Sequence, residues 1–75
     1  MENEIQINLT KDEALVLFEF LSRFNQMRHN AIFEDQAEQK ALWTIEKQLE
    51  RILAEPFRPD YLDIIKEARN RLKGW

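Results

Sequence analysis

Cysteine is absent from the 75 residues of the chain, which removes a disulfide framework and every zinc site built on thiolates. That composition suits a reducing compartment. A single glycine, at position 74, leaves no glycine-rich loop to cradle a phosphate. The prolines are two, Pro56 and Pro59, so loop material is scarce and most of the chain is expected to be helix. Serine and histidine occur once each, as Ser22 and His29. Nucleophilic catalysis needs a nucleophile, a base and a water-excluding site. Ser22 falls on the polar side of the first expected helix, and His29 lies near its end, where a cation complements the dipole. No catalytic residue is assigned. Long apolar runs are also missing, as is a basic segment followed by an apolar one at the N-terminus. The expectation is a soluble cytoplasmic protein without membrane contact.

What is present is charge. One residue in three is charged, 44% are hydrophobic, and the net charge is −3. The balance is uneven: residues 1–35 carry seven acids and three bases, 36–56 four and three, and 57–75 three and five, or −4, −1 and +2. An acidic total argues against wrapping nucleic acid, because phosphate binding needs clustered Lys and Arg. A chain this short buries only about 60% of its unfolded surface and is marginal alone, so oligomerisation is expected.

Along the chain, residues 4–9 alternate Ile5, Ile7 and Leu9 with Glu4, Gln6 and Asn8, the period of a half-buried strand. No second strand is legible, so its partner is expected to be the same strand of a second protomer. The alternative is an extended arm lying on the helices. Thr10 to Glu13 forms a capping box that opens a helix over about 11–28. Its apolar arc covers roughly half the circumference, wider than the ~100° stripe of a helix with one buried side. Ala14, Phe18 and Leu21 are expected to face their own chain, and Val16, Phe20 and Phe24 a second copy. Glu19, Ser22, Arg23 and Gln26 fall on the opposite side, with Leu15 as an apolar exception.

Asp35 to Glu38 offers a second cap, for a helix over about 36–54 whose apolar face comprises Ala37, Ala41, Leu42, Ile45, Leu49, Ile52 and Leu53. Pro56 forbids its continuation. The segment 55–60 reads as a stiff corner anchored by Phe57, and Asp60 as the cap of a third helix over 61–73. The fold class is therefore mainly α: one N-terminal strand and three helices in a single domain, 1–75.

Chemistry is hard to find. His29, Glu34 and Asp35 match no metal-ligand spacing, and Glu46 and Glu50 lack the histidine partners of a carboxylate-bridged metal helix. Neither metal nor cofactor is expected. Lys66, Arg69 and Lys73 line one side of the third helix around Leu62, suited to an acidic partner or simply to the helix dipole. Trp43 stands among Gln39, Lys47 and Glu50, opposite the apolar face. It is either an interface anchor or covered within the monomer. Trp75 is either similarly employed or frayed at the chain end.

In element order the chain resembles ribbon-helix-helix repressors, whose ribbon reads the major groove. The corresponding side chains would be Glu4, Gln6 and Asn8, but Glu4 repels phosphate and no base precedes Lys11. Residues 35–61, DQAEQKALWTIEKQLERILAEPFRPDY, together with DEALVLFEFLSRF, also resemble a group of small bacterial helical proteins to which no activity is assigned. That resemblance implies a compact helical protein and brings no functional residue with it. The expected function is a non-catalytic, homodimeric interaction module of the accessory, adaptor or immunity type, with a protein partner still to be found. The alternative is a DNA-binding regulator. Candidate interface residues are Ile5, Ile7, Leu9, Val16, Phe20, Phe24 and Trp43.

Overall fold

The computed structural model describes residues 3–27 and 31–74. It consists of three helices, α1 (Lys11–Phe24), α2 (Gln36–Ile52) and α3 (Tyr61–Lys73), with a turn of 3-10 helix at Glu55–Phe57 before the third. No strand occurs among the described residues. This corrects the strand expected over 4–9 and its pairing with a second protomer. Residues 3–9 form an irregular, exposed arm in which Ile5 is 88% and Ile7 77% accessible. Alternation of apolar and polar residues states only a preference for a pleated, half-buried surface. A strand exists when its N–H and C=O groups find a ladder, and the described residues supply none. The ribbon that a ribbon-helix-helix reader depends on has no counterpart among the described residues.

Thr10 caps α1 as its sequence dictates. Its hydroxyl oxygen accepts from the Glu13 N–H at 3.1 Å, and the Glu13 carboxylate accepts from the Thr10 N–H at 2.9 Å. The helix closes at Phe24, short of the expected end near residue 28. Beyond it the bonds tighten, Gln26 N–H donating to the Arg23 carbonyl and Met27 N–H to that of Phe24. The Asn25 side-chain amide meanwhile donates to Glu46 of α2 at 2.7 Å. Arg28, His29 and Trp75 lie outside the described residues. The Asp35 carboxylate accepts from the Ala37 N–H at 2.7 Å and starts α2, which stops at Ile52 rather than 54. Asp60 does not cap α3 with its side chain, correcting the expected role: Arg58 takes both carboxylate oxygens, at 3.1 and 3.2 Å.

α1 is the central element and packs on both α3 and α2. The core is small: Leu15, Phe18 and Leu21 from α1, Leu49 and Leu53 from α2 and its cap, Ile65 and Ala68 from α3. Leu15, placed on the polar side by its helical position, is only 2% exposed. α3 covers that side. Tyr61 donates its hydroxyl hydrogen to Glu19 at 2.9 Å, and Arg71 makes two bonds to Asp12, at 2.7 and 2.9 Å. Asp12, Leu15 and Glu19 are three and four residues apart, hence one stripe of α1. At the other end of the corner Lys11 bonds Glu55 at 2.9 Å and ties the start of α1 to the 3-10 turn.

Candidate interaction surfaces

The seven candidate interface residues fall into three places. Ile5, Ile7 and Leu9 belong to the exposed arm. Val16, Phe20 and Phe24 belong to α1, but only Phe20 is well exposed, at 48%. Val16 packs against the core cluster. Phe24 stacks on Phe20 with ring centroids 5.6 Å apart and meets Phe33 edge-on at 6.0 Å. Phe33 thus turns in from the connection, whereas its neighbours Ala31 and Ile32 are exposed, Ile32 at 62%. The Arg23 guanidinium lies 5.8 Å from the centre of the Phe20 ring, which partly satisfies the outer face of that aromatic pair. Trp43 is 44% exposed and borders a shallow recess shared with Asp35, Gln36, Ala37, Gln39 and Lys40. Phe57, the expected anchor of the corner, is 72% exposed.

The apolar face expected for α2 is only partly buried, and its outer stripe lies outside the seven candidate residues. Its apolar set divides into two adjacent rows. Leu42 and Leu49, with Leu53, turn inward. Ala41, Ile45 and Ile52, with Gln48 between the last two, form a second row at spacing i, i+4, i+7, i+11 that remains exposed. A cavity of about 690 Å³ separates its C-terminal half from the arm, lined by Glu4 to Asn8 on one side and Gln48, Arg51 and Ile52 on the other. The available signal was the number of apolar positions on α2, which exceeds what a single neighbour covers.

Charge is distributed unevenly over these faces. Lys11, Arg23, Arg58 and Arg71 are ion-paired. Among the described residues, Lys40, Lys47 and Arg51 of α2 and Lys66, Arg69 and Lys73 of α3 have no such partner. The α2 set runs along one border of the exposed row, and the α3 set surrounds Leu62, which is 78% exposed. Hydrogen bonding to Arg71 holds the Asp12 carboxyl below its ordinary range, and hydrogen bonding to Lys11 does the same for Glu55. Burial first, and the bond to Glu19 second, push the Tyr61 hydroxyl up. All three shifts belong to clips between elements.

Ser22 is half-buried on α1. Glu46 accepts from Asn25 and is a structural partner rather than part of a solvated face. Among the described residues, no three His, Asp or Glu side chains converge as a metal would require, and no helix is long and apolar enough to cross a membrane. No family model, curated protein or solved structure matches the chain.

Proposed function

We propose that the chain is a non-catalytic protein–protein interaction module that works as a homodimer in the cytoplasm. The observation that carries this is unburied surface. A folded monomer of 9.1 kDa is expected to expose about 4,900 Å². This chain exposes 6630 Å², a surplus of roughly 1,700 Å². A stable complex of ordinary size buries roughly 800 Å² per partner, and permanent dimers bury more. The radius of gyration, 13.9 Å, points the same way against about 11 Å for a compact chain of this length. The exposed arm contributes to this surface, as do Ile45, Ile52 and Leu62 on the helices. The absence of cysteine supports a reducing compartment.

Sedimentation equilibrium at micromolar concentration is the test. A mass near twice 9.1 kDa is expected. A stable monomer at that concentration overturns the reading.

A further inference from the structure

The surface that the second copy covers can be named, given the homodimer proposed above. We propose that α2 of one protomer packs antiparallel on α2 of the other along the row Ala41, Ile45, Gln48 and Ile52, each helix passing beneath the other protomer's arm.

Three features meet on this row. It is apolar except for Gln48 and at helix-packing spacing, yet Ile45 is 41% and Ile52 75% exposed. The arm stands off from its end, leaving a gap of about 690 Å³ between Ile5 and Ile7 on one side and Ile52 on the other. The row is also self-complementary about a two-fold axis near residues 46 and 47. A two-fold contact uses the same patch on both copies, so residue i meets j and j meets i. In that register each Ile52, 75% exposed in the monomer, lies against the small Ala41 of the other copy. The two Ile45 side chains meet on one side of the axis. The two Gln48 amides meet on the other and hydrogen-bond each other, a polar pair that fixes register as one buried amide does in coiled coils. The small side chains of Ala37 and Ala41 let the N-terminal half of α2 enter the gap beneath the arm. The α1 row of Phe20 and Phe24 is a weaker candidate, because its rings already cover each other and Phe33 packs on them.

The cysteine-free chain allows a direct test. The double variant Ala41→Cys, Ile52→Cys places two thiols eleven residues apart, about 16 Å along one helix and too far to bridge within it. Under mild oxidation it is expected to give a covalent dimer by non-reducing electrophoresis, at protein concentrations where the variant carrying a cysteine only at position 62 does not. Separately, Ile52→Asp is expected to weaken dimerisation by roughly a hundredfold or more through a buried unpaired charge, while Phe20→Asp leaves it intact. Helix content followed by circular dichroism confirms that both variants fold. A wild-type dimer that neither cross-links at these positions nor responds to Ile52→Asp overturns the assigned face and leaves the homodimer standing. A dimer lost with Phe20→Asp alone does the same and assigns the contact to α1. A wild-type monomer overturns both.

Discussion

Asp12 shows how much of this fold hangs on side chains that look like surface decoration. Its carboxylate receives both Arg71 bonds and joins the first turn of α1 to the last of α3. The hydrogen bond from Arg71 lowers its pKa; partial burial opposes this, and Coulomb attraction adds to the lowering. A carboxyl whose folded pKa lies below its unfolded value stabilises the fold fully above about pH 4 and loses that contribution as pH falls through the folded pKa. Glu55, lowered by Lys11, acts in the same sense and over the same acid window. Asp12→Asn is therefore expected to melt lower than wild type at pH 7, with the gap closing as pH drops below about 4. Thermal melts between neutral and acid pH check it. A gap that stays constant or widens in acid contradicts the assignment. Leu15 makes the apolar counterpart. At 2% exposure it stands at the centre of a small core, and Leu15→Ala is expected to cost about 2–5 kcal/mol by denaturant titration. That is a large share of the stability available to so short a domain.

At the scale of elements, legibility followed local chemistry. The start of α1 was readable because Thr10 and Glu13 satisfy each other's backbone within four residues, without help from elsewhere. Thr10→Ala is expected to lower stability by about 1 kcal/mol, read as a shift in urea midpoint at unchanged slope, since the Glu13 N–H loses its acceptor. The third helix was equally legible in extent, 61–73. What failed depended on distant partners. Alternation at Ile5, Ile7 and Leu9 implied a strand, but a ladder is a property of two segments and the described residues hold only one candidate. Leu15 looked misplaced because the side of α1 that α3 covers is decided by the corner at 55–60, not by α1. The end of α1 was overestimated for the same reason: Asn25 bonds across to Glu46. The candidate site was legible only in outline. Phe20 is exposed, but Ile5 and Ile7 stand open on the arm rather than half-buried in a strand. The apolar face of α2 splits into an inner and an outer row because nothing local says which of two adjacent apolar rows turns inward.

For the whole molecule, charge and apolar surface make opposing demands, and that opposition yields a test of how the protomers meet. Each protomer carries −3 overall, so two copies repel at long range. On the α2 row the repulsion also has a local source. A two-fold antiparallel contact brings the same flank of each helix together, so Lys40, Lys47 and Arg51 of both copies share one side of the seam. Salt screens such interactions over a Debye length of about 10 Å at 0.1 M, while apolar burial does not depend on that screening. Dimerisation is therefore expected to tighten between about 20 and 300 mM salt. The melting temperature should rise with protein concentration at every salt level, because a dimer stabilised by mass action melts later when more concentrated. A contact between an acidic face and this cationic border would behave oppositely, weakening as salt rises. Sedimentation equilibrium across the salt series distinguishes the two by sign alone. Weakening with salt would exclude α2 meeting α2 and point to an acidic surface as the occupant of the row.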